Sequence, residues 1–280
     1  MHVPNDSSAG ESAPAASPFV KWVGGKRSLL RELLAHLPVG FKNYYEPFVG
    51  GGALFFALGE RPGRAFLSDV NAELLTAYRV VQREPKALLR LLEEHAARHD
   101  DEYYYAVRER HALTDPLQIA ARFIYLNKTC YNGLYRVNGK GEFNVPVGRY
   151  KNPRIADARN ILACSVALER ADIRHIPYDA ITPRKGDFVY FDPPYHRTTG
   201  TSFTRYARDD FSEKDQEALC AFFTKLHKKG VHVMLSNAST GFIRSLYAGF
   251  TIHTVRAPRF VNSKSSGRGA VEEVLVTSYD

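Results

Sequence analysis

The run Asp192-Pro193-Pro194-Tyr195 follows an apolar stretch, Phe188-Val189-Tyr190-Phe191, whose length and composition predict a buried strand. One carboxylate, two prolines and one aromatic ring therefore stand just past a strand end. Those parts suit the handling of an amino group on a flat heterocycle. Proline fixes φ and lacks an N–H. The loop can present Asp192 and the Pro193 carbonyl as two acceptors for an –NH₂ group, while Tyr195 offers a face for stacking. The same residues also make an ordinary strand-to-loop turn, because Asp and Pro are common turn formers. The surroundings decide between the two.

A second segment, Tyr44-Tyr45-Glu46-Pro47-Phe48-Val49-Gly50-Gly51-Gly52, leads into the helix-like Ala53–Leu58. A strand running into glycines and then a helix is the first turn of a nucleotide-binding α/β unit. Glycine lets a ligand approach the backbone closely. The pattern G-x-G-x-x-G is absent, so this loop lacks the spacing that cradles a pyrophosphate. Asp69 closes the next predicted strand, where an acid can hydrogen-bond ribose hydroxyls. Read locally, it is an acid at a helix start ahead of Asn71. Trp22, the single tryptophan, reads by composition as a core residue.

Short apolar runs alternating with helical patterns position these residues, as an α/β fold requires. Predicted strands are Tyr44–Glu46, Ala65–Ser68, Asp172–Ile176, Phe188–Phe191, Val231–Ser236, Thr251–Arg256 and Glu272–Ser278. The clearest helix spans Glu213 to Lys229, with Ser212 as N-cap, Asp215 three residues on, and Gly230 as C-cap. Leu219, Phe222, Phe223 and Leu226 form its apolar stripe. Asn71 to Arg159 is helical with little strand signal, one helix starting at Pro85 and another at Pro116. Asn138-Gly139, between short β-like pieces, is a hairpin signal.

The chain has 280 residues, is 44% hydrophobic and carries a formal charge of +8. That length buries a full core as one large domain or somewhat more. No apolar run approaches the roughly 18 residues of a membrane span, and the N-terminus lacks a signal-peptide pattern. Residues 1–18 are rich in Ser, Ala and Pro, which predicts a disordered tail. Asp6 and Glu11 are its only charged residues, so the rest of the chain carries +10. Charge of that size favours a polyanionic partner. From Lys128 to Arg154 six bases meet one acid, interleaved with Tyr131, Tyr135, Phe143 and Tyr150. Arg256, Arg259, Lys264 and Arg268 make a second cluster. Cys130, Cys164 and Cys220 give neither a disulfide framework nor a zinc pattern. No metal is expected, and the reading is a cytoplasmic protein.

Glu-Pro-Phe-x-Gly-x-Gly followed by Asp-Pro-Pro-Tyr resembles the S-adenosylmethionine-dependent amino methyltransferases of DNA. Lys21-Trp22-Val23-Gly24-Gly25-Lys26 ahead of both makes the motif order similar to the Dam-like alpha group, or D12 class, of N6-adenine-specific enzymes. Tyr131-Asn132-Gly133-Leu134-Tyr135-Arg136 and Gly141-Glu142-Phe143-Asn144-Val145-Pro146 look like the DNA-reading hairpin of the Dam subfamily, which modifies GATC. The resemblance covers nearly everything after residue 18. Gly51 departs from it, replacing a residue that is often not glycine.

The resemblance implies a Rossmann-like methyltransferase fold of about seven strands. Residues 19–70 and 160–280 would form the S-adenosylmethionine-binding domain. Residues 71–159 would be an inserted, mainly helical target recognition domain bearing the hairpin. It implies catalysis by Asp192, Pro193 and Tyr195, and cofactor contacts from Trp22, Lys26, Glu46, Phe48, Gly50, Gly52, Asp69 and Asp192. Lys26 would hold the methionine carboxylate or simply open the following helix. It implies that double-stranded DNA is met by Lys21, Lys128, Tyr131, Asn132, Leu134, Arg136, Pro146, Arg149 and Lys151, with Lys140 near a phosphate. Arg136 would read guanine, since arginine pairs bidentately with its O6 and N7. Tyr131 would wedge into the space left by a flipped adenine. No obligate protein partner is expected.

Rival chemistries leave other traces. A 5-methylcytosine enzyme needs a cysteine nucleophile, normally after proline, and none of the three cysteines follows one. A zinc deaminase needs His-x-Glu with Pro-Cys-x-x-Cys, and the chain has neither. A longer DNA site such as GATATC, and RNA or protein amino groups as acceptors, stay open.

Overall fold

A computed structural model describes residues 15–196, 211–258 and 270–280. The described residues form one seven-stranded sheet built from β1 (Tyr44–Glu46), β2 (Ala65–Asp69), β3 (Ala171–His175), β4 (Phe188–Phe191), β5 (His232–Ala238), β6 (Thr251–Pro258) and β7 (Ala270–Thr277). All seven predicted strands are present, with ends shifted by at most two residues. The spatial order is β3-β2-β1-β4-β5-β7-β6. The strands from β3 to β5 run parallel, whereas β7 lies antiparallel to both β5 and β6. This is the Rossmann-like, doubly wound order that the resemblance implies. Its winding reverses between β1 and β4, so the crevice for a ligand opens past their carboxyl ends. The glycine loop and Asp192 leave from those two ends.

Both faces of the sheet are covered, as continuous apolar strands require. Along β4, Phe188 and Tyr190 face one core while Val189 and Phe191 face the other. The first core lies under α1 (Leu30–Ala35), α2 (Ala53–Leu58), α3 (Ala72–Arg83), α4 (Pro85–Ala97), α5 (Asp101–Arg108), α6 (Pro116–Thr129) and α7 (Ala158–Leu168). The second lies under α8 (Glu213–Lys228) and α9 (Gly241–Leu246). Helix α8 begins with the expected capping box, in which Ser212 and Asp215 satisfy each other's backbone N–H. Gly230 follows at φ +74°. Of the predicted stripe, Leu219, Phe223 and Leu226 are buried and Phe222 is only partly covered. Burying each such side chain contributes roughly 1.5–3 kcal/mol.

Helices α4 and α6 start at Pro85 and Pro116, where the missing N–H of proline costs no hydrogen bond. Helix α3 opens the predicted insert yet packs against β2 and β3 as well as α6 and α7. One core therefore runs unbroken from Tyr44 and Leu67 through Tyr78 to Tyr125 and Phe143.

Two expectations change. The hairpin is real, with Val137 opposite Phe143, but Asn138-Gly139 is not its two-residue turn. Neither residue has positive φ; Gly141 does, at +81°. The Asn138 side chain accepts from the Lys140 and Glu142 backbones at 2.9 and 3.0 Å, which organises a longer loop in place of the tight turn. The predicted 1–18 tail is anchored at its end. The Ser17 backbone donates to Asn160 at 3.0 Å, Asn160 donates back at 2.9 Å, and Phe19 is fully buried. Residues 1–14 lie outside the described ones. Among the described residues no helix is long and apolar enough to cross a membrane, and no metal-ligating cluster occurs. All three cysteines are free and buried.

Candidate active site and nucleic-acid interface

Past β4, Asp192 is enclosed by partners. Lys26 Nζ lies 2.7 Å from its Oδ1, with the two side chains 7% and 19% exposed. Ser236 of β5 donates to the same oxygen at 2.9 Å and pairs with the Tyr190 hydroxyl at 2.9 Å. Lys26 opens a short 3₁₀ turn, and its ammonium also donates to the Gly24 carbonyl at 2.6 Å. The same ammonium stands 4.6 Å from the centre of the Tyr195 ring. Burial first, then the Asp192 charge, holds the Tyr195 phenol protonated far into the alkaline range. Its hydroxyl donates to Glu273 of β7 at 2.7 Å.

The loop backbone is fixed from behind. Gln216 of α8 donates to the Pro194 carbonyl at 2.9 Å, Asn237 donates to Gln216 at 3.0 Å, and the His196 N–H donates to Asn237 at 3.0 Å. Gln216 and Asn237 are fully buried, so their amides are spent on this loop. Pro193 is buried beside them.

The glycine loop is equally constrained. Gly50 and Gly52 take φ values of +45° and +66°. A Cβ on Gly50 would stand 2.6 Å from the Trp22 ring, and one on Gly52 would stand 2.6 Å from the Tyr78 hydroxyl. Gly51 has ordinary φ, and a Cβ there would meet only van der Waals contacts at 3.4 Å and beyond. A side chain at this position would therefore meet no clash. Tyr78 donates to the Gly50 carbonyl at 3.0 Å, and Asp69 accepts from Gly50 and Asn71 N–H groups at 3.1 and 3.0 Å. Burial raises the Asp69 carboxyl and those N–H groups oppose the rise. Asn71, not Asp69, caps α3.

Glu46 lies beneath the loop. It is 3% exposed and accepts from Tyr44 at 2.9 Å. Burial pushes its pKa up to about 8; the Tyr44 hydrogen bond opposes this and the Asp192 charge adds to it. Phe48 is half-buried, stacked on Tyr178 at 5.4 Å and edge-on to Phe191 and Phe211. Trp22 is also half-buried. Its ring covers Gly50 and stacks on Tyr135 at 5.8 Å, with Phe123 at 6.4 Å. One indole thus joins the glycine loop to the helical insert.

The basic face begins where Asn127 grips Lys21. The Lys21 N–H donates to Asn127, and Asn127 donates to the Lys21 carbonyl, both at 2.7 Å. Lys21 Nζ stands 3.8 Å from the Tyr150 ring centre. Tyr131 is 50% exposed. Asn132 is the one non-glycine residue with positive φ among those described, at 54°. Leu134 packs half-buried on the core, while Pro146 is exposed and its carbonyl accepts from the Tyr131 N–H at 2.9 Å. Arg136 is exposed and braced by two hydrogen bonds to Asn144, at 2.7 and 3.1 Å. Lys140, Arg149 and Lys151 are exposed. Lys128 differs from these: it is half-buried, and desolvation lowers its pKa. Of the second basic cluster, Arg256 is exposed, and Arg259, Lys264 and Arg268 lie outside the described residues.

A model of the family described as D12 class N6 adenine-specific DNA methyltransferase matches residues 22–260. The chain belongs to that family. It is an adenine-specific DNA methyltransferase of the D12 class. Among its relatives is the type II methyltransferase M1.LlaDCHI of Lactococcus lactis subsp. cremoris, 43% identical over 94% of this chain and 95% of the other. The type II methyltransferase M.MjaIII of Methanocaldococcus jannaschii is 41% identical over 94% of this chain and 99% of its own. The DNA adenine methylase of Serratia marcescens is 34% identical over 92% and 96%.

In this D12 enzyme a cavity of about 360 Å³ opens on the opposite sheet face, between Tyr45, Phe66, Ser68, Arg174 and Arg184. It shares no residue with the Asp192 loop or the glycine loop. It marks the place where β3 connects to β4 through only the short turn Tyr178–Ala180 and no longer helix. Reading the sequence alone missed Ser236, Gln216, Asn237, Glu273 and Asn127. Each is a polar residue beside other polar residues at the edge of an apolar pattern, a signal with no spacing to mark it.

Proposed function

We propose that this enzyme transfers a methyl group from S-adenosylmethionine to N6 of an adenine rotated out of duplex DNA, within GATC. The observation that carries the reading is Lys26. Its ammonium joins Asp192 and Tyr195, and the segment it closes lays Trp22 over Gly50. The three motifs thus form one site at the switch point of the sheet.

The residues present fit the methyl donor. Gly50 holds positive φ against the Trp22 ring and its N–H is bound by Asp69, so the loop presents bare backbone beside a carboxylate and an indole face. S-adenosylmethionine, when bound, supplies an electrophilic methyl group. Asp69 keeps lone pairs beyond those used by Gly50 and Asn71 for ribose hydroxyls, Phe48 and Trp22 offer ring faces, and Lys26 offers a cation to a carboxylate. Asp192 and the Pro193 carbonyl would accept the two N6 hydrogens of adenine. The nitrogen lone pair would then leave conjugation with the ring and be free to attack. The donor's methyl C–S bond would break as the C–N bond forms, and the surplus N6 proton would pass by way of Asp192 to solvent. Tyr195 would stack on the base, which is worth roughly 1–3 kcal/mol and offsets part of the unstacking cost. Positioning and electrostatics supply the catalysis.

Residues 71–159 serve as the target recognition region of this reading. Arg136 reads guanine, Tyr131 and Asn132 support the opened pair, and Lys21, Leu134 and Pro146 line the same face. Lys128, Lys140, Arg149 and Lys151 meet phosphates, and the enzyme works in the cytoplasm on DNA. The likeness of the hairpin to the GATC-modifying Dam subfamily supports the site. Modification-sensitive sequencing of DNA from cells expressing the chain tests all of this. N6-methyladenine at GATC is expected; methylation at another adenine site would refute GATC alone, and its confinement to cytosine or its absence would sink the reading.

A further inference from the structure

Glu273 belongs to none of the three motifs, yet its carboxylate lies 2.7 Å from the Tyr195 hydroxyl. It projects from β7 opposite Ala238 of β5, at the end of the sheet where the site opens. The half-buried phenol is the donor and the Glu273 carboxylate oxygen the acceptor. Lys26 meets the face of the same ring at 4.6 Å. The ring is thus held at its tip by one element and at its face by another. A tyrosine without these partners can exchange rotamers, and each exchange removes the platform on which a flat acceptor stacks.

We propose that Glu273 is a positioning residue for methyl transfer, fixing the Tyr195 ring at the angle at which the target adenine stacks. This rests on the adenine-flipping reading above. Glu273 touches neither substrate nor cofactor in this role; it acts through the Tyr195 hydroxyl alone. Losing a hydrogen bond of this kind slows a step that depends on it by about tenfold. The effect belongs in capture of the base and in kcat, not in affinity for S-adenosylmethionine.

A double-mutant cycle tests this on the full chain, using Glu273→Ala, Tyr195→Phe and their combination. Two readouts are taken: single-turnover methyl transfer to duplex DNA, and fluorescence of 2-aminopurine at the target position, which rises when the base leaves the stack. Each single variant is expected to slow transfer by about tenfold and weaken the fluorescence rise, and the double variant to lose no more than either. Glu273→Gln keeps an acceptor oxygen and should recover to within about threefold of wild type. Losses that multiply in the double variant, or Glu273→Gln as slow as Glu273→Ala, would overturn the proposal. Were Glu273→Ala not to fold, Tyr195→Phe removes the same bond at nearly the same volume. An unchanged fluorescence rise and rate in that variant would overturn it as well. Failure of the wild-type chain to methylate adenine would instead refute the function it rests on.

Discussion

The Asp192 loop and the basic hairpin are built in opposite ways. Around Asp192 and Tyr195 the polar groups that matter are partnered by side chains from four other elements: Lys26, Ser236, Gln216 and Glu273. On the hairpin, Arg136 is braced only by its neighbour across the strands, and Tyr131, Lys140, Arg149 and Lys151 are exposed. A group that must meet a reacting atom at a set angle gains from rigid support, because reorganisation during reaction costs rate. A group that must reach a groove gains from staying accessible. Substitutions in the first region should therefore be severe and spread through the network, and those in the second mild and specific.

The sharpest break would come at Asp192. Asp192→Ala should reduce methyl transfer by about 10³-fold or more while duplex binding stays within a few-fold, read by single-turnover transfer beside an anisotropy titration. Strong loss of DNA binding as well would mean that the two regions are not separable. Gly50→Ala comes next. It forces positive φ on alanine and drives its Cβ to 2.6 Å from the Trp22 ring, so S-adenosylmethionine affinity should fall about 10–100-fold by calorimetry. Gly51→Ala, whose Cβ would meet three ordinary van der Waals contacts at 3.4–3.9 Å, should bind within about threefold.

Smaller effects separate base reading from phosphate contact. Arg136→Ala should lose about tenfold in discrimination at one base pair, whereas Lys151→Ala should weaken every duplex about threefold and lower the salt slope by about one. Equal losses on cognate and mismatched duplexes for Arg136→Ala would refute its role. The mildest effect concerns Glu46. Its folded pKa of about 8 exceeds the ordinary 4.5, so between those values the folded protein holds a proton that the unfolded chain has released. Stability then falls as pH rises through that window and levels off above it. Glu46→Gln should flatten this part of the pH–melting curve by roughly 1–4 kcal/mol. An unchanged slope would show that Glu46 is ionised when folded.

Much of the fold was legible because its signals are local. Seven apolar runs marked the seven strands, Ser212 with Asp215 marked α8, and Pro85 and Pro116 marked two helix starts. The hairpin was legible as a hairpin, but its turn was not. Asn138 bonds forward to Lys140 and Glu142 through its side chain, an option that a dipeptide signal does not reveal. The anchoring of Ser17 escaped for a related reason, since its partner Asn160 lies 143 residues away.

The sequence by itself determined the strand set, the three motifs and the family they belong to, because periodicity, turn chemistry and motif spacing act over a few residues. Tertiary structure alone decided which groups meet. It set Lys26 between Asp192 and Tyr195, laid Trp22 between Gly50 and Tyr135, and buried Glu46 out of reach of water. It also brought Glu273, the last of these residues in the chain, to the hydroxyl of Tyr195. Such contacts depend on the order in which strands pair, and no local pattern carries that order.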